Sequence, residues 1–92
     1  VNQLKSVIPE VPRLEKVTFS VMADPACAQH LKSLNKSQII VMGMETSVCV
    51  LQTVLDLLMC NKEVYVVADA VSARHALDHE LALTRMRAAG AH

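Results

Sequence analysis

Cys49 lies where a thiol could act as a nucleophile. It follows a short apolar segment, residues 39–42, and Gly43, and it precedes apolar residues at helical spacing. This order places the thiol in the first turn of a helix, just past the carboxyl end of a strand. Amides in a first turn stabilise a thiolate, and they can also hold the oxyanion that forms when a thiolate adds to a carbonyl. A second interpretation stays open, because cysteine also packs as a small buried hydrophobe.

The elements around Cys49 follow from the hydrophobic pattern. Residues 39–42 predict a strand that is buried on both faces of a parallel sheet and is ended by Gly43. Thr46 and Ser47 predict the N-cap of the next helix. That helix is expected to be largely buried through its periodic apolar residues, Val48, Leu51, Val54, Leu55 and Leu58.

Strands and helices alternate along the chain. The predicted strands cover residues 17–22, 39–42 and 64–68, and the predicted helices cover residues 26–34, 48–58 and 75–89. Residues 1–14, which include Pro9 and Pro12, predict an extended loop. Alternation with short links predicts an α/β fold with a doubly wound parallel sheet. Such sheets carry their sites at the carboxyl ends of the strands.

Capping residues define the predicted boundaries. Asp24 and Pro25 predict the N-cap and the first position of a helix. Asp69 is expected to end the strand over residues 64–68, and Ser72 is expected to cap the last helix. The side chains predicted to point inward are Leu31 and Leu34 on the earlier helix and Leu77, Leu81 and Ala88 on the last one, where Leu83 and Met86 widen the inward face.

The composition argues against several classes of protein. Hydrophobic residues make up 52% of the 92 residues, and nine basic and nine acidic residues cancel. Without a basic surface pattern, nucleic-acid binding by charge is not expected. The apolar runs are also shorter than the roughly 18 to 20 residues of a membrane-spanning helix. Three widely spaced cysteines predict free thiols in a reducing intracellular compartment, cytoplasmic or mitochondrial.

His75 and His79 are the one histidine pair with metal-ligand spacing, four residues apart on the last predicted helix. With Asp78 between them they could bind a metal ion. No further ligand accompanies them, so we expect a solvent-facing helix start, with no metal and no cofactor.

Three segments together resemble the isochorismatase-like cysteine hydrolases, and best the subgroup of isochorismatase-domain-containing proteins. They are Gly-Met-Glu-Thr-Ser-Val-Cys-Val at residues 43–50, Val-Tyr-Val-Val-Ala-Asp-Ala-Val-Ser at residues 64–72, and Arg-Met-Arg-Ala-Ala-Gly-Ala at residues 85–91. Residues 14–20 are similar to the segment in which that family carries its lysine. The resemblance implies a three-layer α/β/α, Rossmann-like fold with a parallel sheet, partly covered by this chain.

The resemblance also implies roles for individual residues. Cys49 would be the nucleophile, and Lys16 would lie beside it and hold the thiolate or the developing charge. The backbone amides of Glu45 and Cys49 would form the oxyanion hole. Independently of the resemblance, the Glu45 side chain is expected to be a rim or subunit-contact carboxylate rather than a base, because turn side chains at strand ends are usually exposed. The peptide bond between Met44 and Glu45 would be cis. Asp69 would be a structural residue at a strand end.

One part of the family pattern is not found in this sequence. The family's catalytic aspartate ends an N-terminal strand, and no such segment precedes Lys16; the family's last strand is also missing. The metal-binding histidines that nicotinamidase-type relatives carry upstream of the lysine have no counterpart either. We therefore expect residues 1–92 to form part of a single isochorismatase-like domain, and to be inactive without the missing segments.

The sequence predicts a cysteine-dependent hydrolase that acts on a small molecule with an amide or enol-ether type bond and forms a homo-oligomer. One alternative is a catalytically silent oligomerisation or scaffold module of the same fold, which five methionines and the apolar helix after Cys49 would suit. Another is a ribonuclease-type hydrolase, which the neutral charge favours less. Thiol reactivity separates the hydrolase from the silent module.

Overall fold

The computed structural model describes residues 14–92, so the predicted loop over residues 1–14 lies almost wholly outside the described part of the chain. The fold is α/β, as predicted. Its elements are a 3-10 turn Val21–Ala23, helix α1 Pro25–Leu34, strand β1 Gln38–Met44, a π-helical turn Thr46–Val50, helix α2 Leu51–Met59, strand β2 Glu63–Ser72 and helix α3 Ala76–Ala89.

The sheet consists of β1 and β2, which pair in parallel. The pairing is regular from Gln38 opposite Glu63 to Val41 opposite Val66, and it resumes with Gly43 opposite Val71. Between these pairs β2 advances five residues while β1 advances two, so β2 bulges. Gly43 adopts a φ of +126°, in the region that favours glycine.

Two predicted strand ends are therefore wrong. Gly43 lies inside β1, and Asp69 lies inside β2, on an exposed stretch of its bulge. Both strands continue past the residues that were expected to end them, because the parallel pairing resumes after the irregularity with Met44 opposite Ser72.

The core lies on one face of the sheet. Alternate strand residues, including Ile39, Val41 and Val64, pack against the buried side chains of α2 and α3. On the opposite face, Ile40 and Met42 are 65% and 60% exposed. Burial of this strand on both faces is thus not observed within residues 14–92, whereas the parallel sheet with covering helices is confirmed.

Helix α1 begins as predicted. Pro25 occupies its first turn, and the Asp24 side chain accepts a hydrogen bond from the Cys27 amide at 3.0 Å. This bond is the main reason why the pKa of Asp24 is lowered. Leu31 packs toward the core as expected, but Leu34 is half-exposed, since the helix ends there at Asn35 in the left-handed conformation.

The strand predicted over residues 17–22 does not form. Val17 is fully exposed, and residues 14–20 are irregular up to the 3-10 turn. Local side-chain bonds replace a sheet ladder here: the Thr18 hydroxyl donates to the Ser20 carbonyl at 2.7 Å, and the Ser20 hydroxyl accepts from the Met22 amide at 3.1 Å. The alternation of apolar and polar residues was misleading because neither strand of the sheet pairs with this segment.

Helix α3 differs from its prediction at its start and in its inward face. Ser72 belongs to β2, and the N-cap position is His75, whose side chain makes no capping bond. Met86 is buried and Leu83 packs partly buried against the core, as predicted, and Ala82 is buried as well. Leu77, Leu81 and Ala88 are exposed, so this part of the predicted face is wrong. The helix carries leucines on more than one side, so its sequence did not determine which side would pack. Gly90 ends it in the left-handed conformation, as expected.

The chain pairs with β2 once more at His92. Its amide donates to the Val64 carbonyl at 2.9 Å, and its carbonyl accepts from the Val66 amide at 2.9 Å. Across residues 14–92, no helix combines the length and the apolar character needed to cross a membrane.

Candidate active site

Cys49 lies in the π-helical turn that directly follows β1, half-buried, as the strand, glycine and helix order predicted. The turn is wide because the Glu45 carbonyl accepts from both the Val48 and the Val50 amides, each at 3.1 Å. The N-cap position is Glu45, one residue before the predicted Thr46 and Ser47, and its side chain makes no capping bond. The turn runs without a break into α2, so Cys49 lies near the start of a continuous helical segment.

The peptide bond between Met44 and Glu45 is cis. This confirms the geometry that the resemblance implied for this bond. The cis bond lies at the junction between β1 and the turn that carries Cys49.

Glu45 and Thr46, at the beginning of this turn, contact residues just before and within the first turn of α3. The Thr46 hydroxyl lies 2.9 Å from the His79 Nδ1 atom, and the Thr46 side chain is fully buried. The Glu45 carboxylate accepts from the Arg74 amide at 3.2 Å and lies 4.0 Å from the Arg74 Nε atom. Glu45 is thus partly exposed and engaged by Arg74, consistent with the rim position expected of it.

Lys16 lies in the irregular segment before the 3-10 turn. Its ammonium donates hydrogen bonds to the carbonyls of Thr18 and Phe19. Among residues 14–92, no hydrogen bond or ion pair joins Lys16 to Cys49. The 3-10 turn that follows this segment is connected to α2, because the Val21 amide donates to the Thr53 hydroxyl at 3.0 Å.

The other two cysteines differ from Cys49 in their surroundings. Cys27 is buried in α1, and this burial is the main cause that raises the pKa of its thiol, with the hydrogen bond to Asp24 adding to it. Cys60 is exposed just after the end of α2. All three cysteines are free, as the sequence predicted. Cys49 is the cysteine that combines partial exposure with a position at the start of a helix.

His79 does not have the solvent-facing position expected of it, because its ring is half-buried and contacts Thr46. His75 lies one position outside α3 and is exposed. Within residues 14–92, no three potential metal-ligating side chains lie close enough together to hold a metal ion.

The sequence indicated Thr46 as an N-cap and His79 as a possible metal ligand, but it did not indicate the contact between them, nor Thr53 or Arg74, as features that shape this region. Each of these residues acts through a contact between residues that are at least 29 positions apart. The one signal in the sequence that pointed to His79 was its four-residue spacing from His75. That spacing suggested a metal ion as the partner of His79 rather than the Thr46 hydroxyl.

Chemically, the arrangement offers a thiol at the start of a helical segment, next to a strand end. Amides of the first helical turn favour negative charge near them, both on the thiolate and on an oxyanion. A carbon electrophile that entered beside the turn would thus meet a nucleophile and hydrogen-bond donors from the same segment.

A family model described as the isochorismatase domain matches residues 2–92. Among curated proteins, isochorismatase domain-containing protein 2 from Xenopus laevis is 38% identical over 96 residues, which cover 95% of this chain and 46% of that protein. The chain spans less than half the length of the curated relatives it matches, with coverage of 40%, 46% and 48% for the first three.

Two solved structures are also similar. The YcaC gene product from Escherichia coli, an octameric hydrolase of unknown specificity, has a TM-score of 0.92 and 28% identity, covering 99% of this chain and 45% of that chain. The MAR1 ribonuclease from Caenorhabditis elegans has a TM-score of 0.74 and 43% identity, covering 83% of this chain and 38% of that chain.

Proposed function

The chain belongs to the isochorismatase family, and from this membership we propose that it carries the nucleophile of a cysteine-dependent hydrolase that acts on a small molecule. The family resemblance inferred from the sequence is confirmed. The observation that carries the proposal is the position of Cys49, half-buried in a helical turn directly after a parallel strand. The similar YcaC product is itself a hydrolase, which supports the reaction class.

In the proposed reaction, the Cys49 thiolate adds to an electrophilic carbon of an amide or enol-ether type substrate. With an amide substrate, the amides of Glu45 and Cys49 stabilise the oxyanion that forms from the carbonyl oxygen, and Lys16 holds the thiolate or the developing charge. The leaving group departs, and water then releases the product from the enzyme and restores the thiol. The proton transfers need a general base, for which we propose an aspartate outside this sequence.

The first test is site-resolved alkylation with iodoacetamide on the full-length protein near neutral pH. We expect Cys49 to react faster than Cys60, although Cys60 is the more exposed thiol, because Cys49 lies at the start of a helical segment whose amides favour negative charge on the reacting sulfur. Replacing Lys16 with alanine should slow the alkylation of Cys49 and leave the alkylation rate of Cys60 unchanged. A Cys49 that reacts no faster than Cys60 would sink the hydrolase proposal and favour the silent oligomerisation module.

A ribonuclease activity is the second candidate, because the MAR1 ribonuclease is 43% identical over 83% of this chain. Incubating the full-length protein and its Cys49→Ser variant with single-stranded RNA tests it. Cleavage that disappears in the variant would support this candidate, whereas cleavage that persists at the same rate would point to a contaminating nuclease.

We also propose that the full-length protein is a homo-oligomer, as the YcaC product is. Exposed apolar side chains on both the sheet and α3, among them Ile40 and Leu77, are available for contacts between subunits. Light scattering coupled to gel filtration measures the mass directly, and a monomer at micromolar concentration would contradict the proposal.

A further inference from the structure

We propose that His79 is a positioning residue for Cys49 and that it acts through the hydroxyl of Thr46. This inference rests on the proposed function, because it requires a nucleophile in the turn. It assigns a purpose to a contact that connects α3 to the π-helical turn across 33 positions of sequence.

The first argument is burial. The Thr46 side chain has no exposed surface, so its hydroxyl needs a partner within the protein. His79 supplies that partner at 2.9 Å, and among residues 14–92 no buried side-chain nitrogen or oxygen is left without one. Removing the imidazole would leave a desolvated hydroxyl at the first residue of the turn.

The second argument is the position of Thr46 in the turn. Its carbonyl accepts a hydrogen bond from the Leu51 amide, so Thr46 is held through both its backbone and its side chain. In sequence, Cys49 lies between Thr46 and Leu51, inside the turn that this backbone bond closes. A shift of Thr46 therefore changes the direction of the amides around the thiol, on which its nucleophilicity depends.

The third argument separates His79 from its neighbour Arg74. The Arg74 side chain is 81% exposed, and its Nε atom lies at 4.0 Å from the Glu45 carboxylate, so this ion pair contributes little. The bond between Thr46 and His79 is 2.9 Å long, and its threonine end is fully buried. Since a hydroxyl can both donate and accept, it can pair with either neutral tautomer of His79 and also with the protonated ring.

The test uses the three cysteines as internal reporters on the full-length protein. Iodoacetamide labelling is measured for the wild type, His79→Ala, His79→Asn and the matched control His75→Ala. His75 is the same residue type at the same end of α3, and its side chain makes no capping bond. Asparagine restores a donor and an acceptor close to the position of the Nδ1 atom.

We expect His79→Ala to slow the labelling of Cys49 by up to about tenfold, the equivalent of one lost hydrogen bond. His79→Asn should recover the wild-type rate, and His75→Ala should not change it. Cys27 and Cys60 should keep their rates in every variant. If His79 has a purely structural role, its removal loosens the fold. The labelling of buried Cys27 and of half-buried Cys49 should then both become faster.

That second pattern would overturn the inference, and so would a His79→Ala variant whose Cys49 reacts like the wild type. In both cases a fast wild-type Cys49 leaves the proposed function intact. A wild-type Cys49 no faster than Cys60 overturns the proposed function and this inference together. As a second variant, Thr46→Val should slow the labelling of Cys49 as much as His79→Ala does. The double variant should label Cys49 no more slowly than either single variant.

Discussion

The two segments proposed to form the active site are held in place in different ways. The turn with Cys49 is fixed by contacts far apart in sequence, through Thr46 and His79 and through the buried residues of α2 below it. The segment with Lys16 is held by bonds to its own neighbours, and Val17 beside it is fully exposed. The half-buried Cys49 thus lies in a turn that is anchored to the core, whereas Lys16, its proposed partner, lies on a locally ordered loop.

Because the two segments are held differently, substitutions around Cys49 and substitutions around Lys16 should have different effects. Changes in the core should alter the geometry around Cys49 together with the stability of the whole fold. Changes near Lys16 should alter reactivity with a smaller loss of stability, since few long-range contacts depend on that segment. One hydrogen bond, from the Val21 amide to Thr53, connects the loop to the helix that follows Cys49.

The largest effect is expected for Cys49→Ser. If Cys49 is the nucleophile, hydrolysis by the full-length protein should fall on the order of 10³-fold or more, as when other covalent nucleophiles are removed. Turnover of any substrate found in a screen of small amides and enol ethers measures this. Cys60→Ser is the control and should retain full activity; an equal loss in both variants would refute a specific role for Cys49.

The next effect concerns the stability of the region that holds Cys49. Leu57 is buried on α2 at 1% exposure, so Leu57→Ala should lower the free energy of unfolding by about 2–5 kcal/mol. Leu77→Ala makes the same chemical change on α3 at 67% exposure and should cost less than about 0.5 kcal/mol. Urea unfolding followed by circular dichroism measures both. Similar losses in the two variants would mean that the exposed face of α3 is covered in the full-length protein.

The connection between the two segments is tested by Thr53→Val. The change removes the acceptor of the Val21 amide while keeping the shape of the side chain, so we expect a loss of about 1 kcal/mol. Cys49 labelling should slow less than it does in Lys16→Ala, because the lysine is displaced rather than removed. Thr84→Val on the exposed side of α3 is the matched control. Unchanged stability and labelling would show that the loop is held by other contacts.

The smallest effect is a pH dependence at the start of α1. The pKa of Asp24 is lowered mainly by the hydrogen bond from the Cys27 amide, so the folded state holds this carboxylate ionised more strongly than the unfolded state does. Its contribution to stability is present above the ordinary pKa of 3.8 and is lost as the pH falls through the lower folded value.

Asp24→Asn keeps the N-cap, since asparagine caps helices as well as aspartate does, but it cannot titrate. The variant should therefore lose less stability than the wild type between about pH 5 and pH 2. Urea midpoints across this range measure the difference. Parallel curves for the two proteins would show that Asp24 does not contribute to the acid sensitivity of the fold.

The sequence alone determined those features that depend on local chemistry. Asp24 and Pro25 define the start of α1, Gly90 ends α3, and an apolar run followed by a helical pattern places Cys49 at the beginning of a helical segment. Each of these follows from a preference of a few neighbouring residues. The three segments that carry the family resemblance also identified the family, and that resemblance anticipated the cis bond before Glu45.

The tertiary structure decided what depends on partners distant in sequence. The alternation over residues 17–22 gave no strand because, within residues 14–92, neither β1 nor β2 pairs with it. The bulge around Asp69 exists because β1 and β2 resume pairing after different numbers of residues. The same holds for the inward face of α3 and for the contact between His79 and Thr46. A residue's local sequence cannot specify these outcomes, because their free energy comes from burial and hydrogen bonds that form only when the elements pack together.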